Sequence, residues 1–500
     1  MKKNKRKAFN KIWVSMVLVL VLTVCMMPVT EVSAAQKKVT KLELIKLVVD
    51  GISKSRLKAG KYTLSIDNGT FKAGSKKIPE KTIKKYMDKY KLSREDAGYC
   101  ALAVKAGIIK SSDLKKLKKK MTRAGAAGII AQADKLIYAP NIKDSDIEFV
   151  LKERIADSNK FSSVKAAKNG AYVYIRGYMT GTAEAPYSDL RYFKPSAKLT
   201  AGEAEKLVSM LIGKTERNGL SPKYQVLRNT KLPKNAELYE YILDSYPNSI
   251  YETGFNGMTS HAFFESGKGL GADDLKSRMS RTNFTFVFPY EIKTFNALTY
   301  PSPDFSYNSN VFLSTYRNDD VPAELAKSSV EFYEYALNVD YRTIKNDKDW
   351  QNVMKKYLSN EELNDYIKHC TENKTIIVCD KVAADESLVY WYNGEYNCKV
   401  YAHFKVVSDI PLETGKTAGT DQDTYGYLYP VKRGYEPGTL FTRSVLGNLY
   451  MGYKMGEWTD FYFNTSGSAD MYGSLCCSNT SRGIMIDYSG LYTWLYKLPF

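Results

Sequence analysis

Val39-Thr40-Lys41-Leu42-Glu43-Leu44-Ile45, Met121-Thr122-Arg123-Ala124-Gly125-Ala126-Ala127 and Leu199-Thr200-Ala201-Gly202-Glu203-Ala204-Glu205 are three versions of one phrase. In each, an apolar residue is followed by Thr and then by small or aliphatic positions at helical spacing. A Thr hydroxyl accepts a backbone N–H at a helix start, so the phrase predicts three N-capped helices. Thr40 and Thr200 have Glu three residues on, the capping-box arrangement, whereas Thr122 has Gly125 in that slot. The Thr-to-Thr spacings are 82 and 78 residues. Near-equal spacing means an array, whose units pack together because none can bury its apolar face alone.

The residues between the phrases define the unit. Before the third phrase stand Ile155-Ala156-Asp157, an amphipathic stretch from Phe161 to Ile175, Arg176-Gly177-Tyr178-Met179-Thr180-Gly181, and Phe193-Lys194-Pro195. Before the second stand Ala97 to Lys105 and Ala106-Gly107-Ile108-Ile109-Lys110, with no Phe-x-Pro. The first copy has only its second helix, Val39 to Ile52. This arrangement resembles the S-layer homology (SLH) repeat, with its Asp before a first helix, glycine-bounded turn, Phe-x-Pro loop and Thr-Arg-Ala-Glu helix start. The resemblance covers residues 36–214 as about two and a half degenerate repeats.

The resemblance implies a mostly helical bundle of pseudo-threefold arrangement. It also implies non-covalent attachment of an exported protein to an acidic, often pyruvylated, secondary cell wall polysaccharide. The carbohydrate-binding positions it implies are Lys41, Glu43, Thr122, Arg123, Arg176, Gly181, Thr200 and Glu203. Lys41 and Arg123 hold the basic position of the phrase, a charged donor beside the free N–H groups of a helix start; Ala201 has lost it. The acidic position is kept as Glu43 and Glu203, and the Arg176 to Gly181 turn is expected to bring Arg176 to the same groove. Asp157 is expected to cap a helix.

The remaining sequence agrees with export. Six Lys and Arg precede an apolar run from Ile12 to Met27, and small residues follow at Ser33-Ala34-Ala35, so residues 1–35 read as a secretory signal peptide. No later segment is apolar for long enough to span a bilayer, so no transmembrane segment is expected after cleavage. Residues 36–214 hold 38 Lys and Arg against 18 Asp and Glu, whereas residues 215–500 hold 29 against 35. A field that strong on one part attracts a polyanion, and for an exported chain that is a wall polymer rather than nucleic acid. The expected location is the cell wall or surface layer of a Gram-positive-type bacterium, where such proteins also self-associate. The densest basic run, Lys110 to Arg123, reads equally as a ligand contact or a solvated loop.

Beyond residue 214 the character changes. Tyr rises to 29 of 286 residues from 10 of 179 in the repeats, and β-type segments appear between Gly, Pro, Asn and Ser punctuation. Expected strands are Phe284 to Phe288, Thr375 to Cys379, Leu388 to Tyr392, Cys398 to Val407, Asp460 to Phe463 and Ile484 to Tyr488. Expected helices are Ala236 to Asp244, Ala323 to Ala336 and Asp349 to Lys368. The chain as a whole is expected to be α+β, with an α+β domain over 215–410 and a β-rich, Tyr-rich segment over 411–500.

Catalytic signatures are sparse. The three His residues lie in no metal-binding spacing, and neither metal nor cofactor is expected. Cys370 or Cys379 with His403 and Asp409 has the chain order of thiol enzymes, but neither Cys opens a helix, where a thiolate is stabilised. Sugar stacking on Trp391, Trp458 or Trp494 competes with ordinary packing of aromatic residues in strands. The sequence therefore favours a structural or adhesive module on a wall anchor, with no catalytic residues assigned. The alternative is an anchored thiol- or carboxylate-type enzyme acting on wall or environmental polymers, and a cleft holding paired carboxylates would point to it.

Overall fold

The computed structural model describes residues 37–252 apart from 235, 237, 238 and 240, residues 320–408 apart from 359, 373, 393 and 394, residues 456–467, and residues 485 and 486. The chain is α+β and divides into two units, with the boundary between Val226 and Leu227. Residues 1–35, Phe284 to Phe288, Asp409, Trp494 and the Cys476-Cys477 pair lie outside the described residues. Among the described residues no helix is long and apolar enough to cross a membrane.

The first unit is mostly helical. Its elements are α1 (Lys41–Lys54), a four-stranded meander of β1 (Lys58–Ala59), β2 (Tyr62–Asp67), β3 (Thr70–Ala73) and β4 (Lys76–Lys77), then α2 (Glu80–Tyr90), α3 (Arg94–Ala106), α4 (Arg123–Tyr138), α5 (Asp144–Glu153), α6 (Val164–Ile175), the ribbon β5 (Thr182–Ala183) and β6 (Arg191–Tyr192), and α7 (Ala201–Leu211). Each phrase opens a helix as its Thr predicts: Oγ1 of Thr40, Thr122 and Thr200 accepts the N–H of Glu43, Gly125 and Glu203 at 3.2, 3.1 and 3.1 Å. The two capping boxes are present at Glu43 and Glu203.

The apolar residue before each Thr has a role that local periodicity did not reveal. Val39 N–H donates to the Leu199 carbonyl at 3.0 Å, Leu199 N–H to the Met121 carbonyl at 2.9 Å, and Met121 N–H to the Val39 carbonyl at 2.8 Å. The three straps thus close a ring of main-chain hydrogen bonds. A second set runs round the ring in the opposite sense: Lys41 N–H to Lys119, Arg123 N–H to Ala197 and Ala201 N–H to Lys37. Val39, Met121 and Leu199 are all buried, so the ring is sealed by the first residue of each phrase. A sequence of 82- and 78-residue spacings has become a pseudo-threefold closure.

Burial of α1, α3, α4, α6 and α7 faces against one another forms a single core, from Leu44 and Val48 through Cys100, Ile130 and Val173 to Leu207. Residues beyond 214 belong to it as well. Asn218 N–H and its amide donate to the Gly177 carbonyl, and Arg217 pairs with Asp134 in α4, which moves the unit's edge past Gly213 to Val226.

The second unit holds α8 (Asn248–Glu252), α9 (Asp320–Ala336), β7 (Val339–Asp340), α10 (Lys348–Met354), α11 (Asn360–Glu372), β8 (Ile376–Tyr392), β9 (Glu395–Ser408), β10 (Trp458–Gly467) and β11 (Met485–Ile486). The sheet is antiparallel in the order β11-β10-β9-β8-β7, with α9 against β8 and β9. The two expected strands at 375–379 and 388–392 are ends of one long strand, interrupted by irregularities at Asp380 and at 385–388. The expected helix from Asp349 to Lys368 is two helices, α10 and α11. Of the expected helix from Ala236 to Asp244, residues 237, 238 and 240 lie outside the described residues; at its end Leu243 bridges to Leu227, and its N–H donates to the Tyr251 hydroxyl at 2.8 Å. Tertiary partners have replaced the helical ones there. β10 lies in the 411–500 segment and pairs along β9, tying that segment to the same sheet.

Candidate functional site

Two junctions of the ring carry the basic positions of the phrase. Lys41, the first residue of α1, is half-buried and directs its ammonium to the Asp113 carbonyl. Burial pulls this amine below the ordinary Lys range, while the nearby Asp113 charge acts the other way. Arg123, the first residue of α4, makes the equivalent reach: its Nε donates to the Phe193 carbonyl at 2.8 Å and the guanidinium lies over the Phe193 ring. Each phrase therefore grips the loop that leads into the next one. The 3₁₀ turn Ser111–Leu114 occupies in the second copy the place held by Phe193-Lys194-Pro195 in the third.

The two junctions differ in charge balance. Arg123 also donates to Glu203 Oε1 at 3.0 Å, so its charge is paired inside the protein. At the Lys41 junction the slot equivalent to Glu203 is Gly125, which brings no carboxylate; Glu43 bonds its own helix start, where the Thr40 N–H holds its carboxyl below the usual range. Lys115, Lys116, Lys118, Lys119 and Lys120 stand exposed beside this junction, while Leu114 and Leu117 are buried and anchor the run. Lys120 donates to the Lys38 carbonyl at 2.7 Å. The third junction offers no side chain, because Ala201 contributes only its N–H to Lys37.

Other residues singled out by sequence are placed differently. Thr122, Thr200 and Glu203 gather with Arg123 at the second junction. Arg176 does not join them. Its Nε donates at 2.8 Å to Asp134, whose carboxylate is fully buried and also receives the Tyr172 and Tyr178 hydroxyls at 2.8 and 2.5 Å and Arg217 at 3.3 Å. Asp134 lies eleven residues along α4 from Arg123, about 16 Å along the helix axis. A buried carboxylate needs cations and donors around it, and Arg176 is used for that purpose. Burial, and next the bond to Asp134, push both phenols well above the usual Tyr range, so they remain donors.

Gly181 is a backbone requirement: its φ is +72°, and a Cβ there would stand 2.5 Å from the Tyr192 carbonyl oxygen. Asp157 makes no helix cap. Its two carboxylate oxygens accept the Phe193 and Lys194 N–H groups, each at 2.8 Å, and so hold the Phe193-Lys194-Pro195 loop on which Arg123 rests. The Asp134 hub and the contribution of Arg217 had no signal in the sequence, because they are contacts across 38 to 83 residues of chain.

In the second unit, a cleft of about 540 Å³ is lined by Glu334, Asp347, Asp349, Asp380, Lys381 and Cys379, with Tyr335 and Trp350 among its walls. Burial pushes the Glu334 carboxyl above the usual range. Asp347 caps α10 through the Trp350 N–H at 2.9 Å. Asp380 binds His403 Nδ1 at 2.6 Å, and the imidazole is stacked on Trp458, occupying one face of the indole. Of the thiol arrangement, Asp409 lies outside the described residues; burial pushes Cys379 up to about 11, and Cys370 is buried with its thiol on the Thr375 carbonyl. Cys100 and Cys379 are free thiols. Among the described residues no group of three His, Cys, Asp or Glu is placed to hold a metal ion. No family model, no curated protein and no solved structure matches the chain.

Proposed function

We propose that residues 36–214 form a degenerate SLH-type anchor that holds an exported protein on an acidic secondary wall polysaccharide, and that the second unit is a structural or adhesive module presented at the cell surface. The observation that supports this reading is the closed ring: three phrases of the kind that resemblance singled out meet around one axis, each beginning a helix and gripping the next loop. The polymer's carboxylates would bind the Lys41 junction, where an ammonium with no carboxylate in hydrogen-bond contact lies beside five exposed lysines. Arg123 is the lesser contributor, because Glu203 competes for it. Self-association in a surface layer belongs to the same reading.

The test is retention on isolated wall sacculi. Lys41→Ala is expected to release the full chain at moderate salt, and Arg123→Ala to release it less. Full retention of a folded Lys41→Ala/Arg123→Ala double variant would overturn the assignment.

The carboxylate-lined cleft favours a second reading, an anchored glycan hydrolase in which Glu334, whose carboxyl burial pushes above the usual range, is the acid and Asp380 or Asp349 the carboxylate partner. Glu334→Gln abolishing release of soluble fragments from wall polysaccharide would support it; absence of such release by the parent protein counts against it.

A further inference from the structure

The meander β1–β4 and α2 carry a second basic surface that the ring does not use. It starts where α1 ends, about 21 Å along that helix from Thr40, and Gly60 N–H donates to the Leu136 carbonyl in the last turn of α4. The meander therefore begins at the end of α1 away from the ring. Between residues 72 and 91 there are eight Lys against Glu80 and Asp88, and Glu80 is taken by two bonds from Arg94 at 2.9 Å.

The placement of these lysines works against the fold in isolation. Lys72 is the direct cross-strand partner of Lys77, with Lys76 beside it, and like charges opposed in a ladder are destabilising. Lys81, Lys85 and Lys89 follow at i, i+4 spacing on α2, a repulsive series covering about 12 Å. Lys76, Lys77, Lys81, Lys85 and Lys89 are exposed, and among the described residues none of these six lysines is in an ion pair. A solvated face ordinarily mixes signs. The helix in the corresponding place after the second phrase, α5, carries Asp144, Asp146, Glu148 and Glu153 against Lys152, so the fold does not require lysines in that position. What the two helices share is their apolar contact, Ile83 and Tyr86 in α2 and Ile147 and Val150 in α5.

We propose that Lys72, Lys76, Lys77, Lys81, Lys85 and Lys89 form a second binding surface, for a linear polyanion whose regularly spaced anionic groups run along β4 and α2. An extended chain of alternating charge and spacer fits a stripe of this length, and bound anions remove the repulsion that the stripe stores. Naming a wall polymer as its source rests on the anchor reading; the chemistry, phosphate or carboxylate on a flexible chain, does not. Two separate surfaces would engage one polymer twice or two polymers at once, raising retention through effective concentration rather than new contacts.

The experiment uses the full chain and two soluble probes, polygalacturonate for carboxylate and linear polyphosphate for phosphate, with neutral dextran as the blank, titrated at low and at moderate salt. Lys77→Glu/Lys81→Glu/Lys85→Glu is expected to lose at least tenfold in affinity for one or both polyanions and to flatten the salt dependence, with its circular dichroism unchanged. Lys160→Glu/Lys165→Glu/Lys206→Glu changes net charge equally at scattered exposed sites and is expected to lose less than threefold. The probe showing the larger loss identifies the anionic group. Equal losses in the two triple variants, unchanged affinity in the first, or no salt-sensitive binding by the parent would overturn the proposal. Lys41→Ala keeps this surface intact, so its release from sacculi tests the anchor separately.

Discussion

Asp134→Asn tests whether Arg176 is structural. The carboxylate has no exposed surface, and it accepts two tyrosine hydroxyls and two guanidinium groups, Arg176 at 2.8 Å and Arg217 at 3.3 Å. Asn keeps the shape and one acceptor but turns an N–H₂ toward groups that are themselves donors. Removing one member of a buried ion pair costs about 3–5 kcal/mol. Arg176 and Arg217 keep 23% and 24% of their side-chain surface in water, so the lower end applies, about 3 kcal/mol. Residues 37–226 contain no Trp, so indole fluorescence would report only on the second unit and serves as the internal control. Hydrogen exchange of the core amides of α4 and α6 reads the loss directly, as a roughly hundredfold acceleration. Acceleration below about fivefold, with the Trp signal unchanged, would refute the claim that this hub holds the first unit together.

Three further outcomes follow from the same geometry. Gly181→Ala places a Cβ against the Tyr192 carbonyl at φ +72°, a backbone clash that a rotamer change cannot relieve, and is expected to destabilise the first unit by about 2 kcal/mol or more in urea denaturation. Asp157→Ala frees the Phe193 and Lys194 N–H groups and is expected to cost about 2–3 kcal/mol and to weaken polymer binding at the Arg123 junction more than at the Lys41 junction. Because burial raises Cys379 to about 11, its thiolate fraction at pH 8 is on the order of 10⁻³; alkylation should rise about tenfold per pH unit up to that value, and a plateau below pH 9 would contradict the assignment.

The three helix starts were legible because a Thr cap is a local device: hydroxyl and amide are three residues apart. The ring that joins them was not legible from the caps themselves, since Val39, Met121 and Leu199 pair across 78 to 160 residues and no local pattern distinguishes them from ordinary core positions. The same reason explains Arg176 and Asp157. Residue type suggested an anion contact for the first and a helix cap for the second, and both roles were decided by distant partners, Asp134 and the Phe193-Lys194 backbone. In the second unit, β propensity found the ends of β8 but not its continuity, because the intervening Asp385-Glu386-Ser387 is polar and yet buried opposite Lys399, itself held by the Tyr239 hydroxyl at 2.8 Å. At the end of 236–244, helix propensity was overridden at Leu243 by the Leu227 bridge and the Tyr251 hydroxyl.

The role proposed for the ring is to anchor the chain to an acidic wall polymer. Its most direct measurement is retention of the full chain on isolated sacculi before and after chemical removal of the acidic polysaccharide, with salt varied in each case. Retention is expected to fall with salt and to disappear with the polymer, and Lys41→Ala to reproduce the loss on intact sacculi. Retention that survives removal of the polymer, or is indifferent to both salt and Lys41, would contradict it.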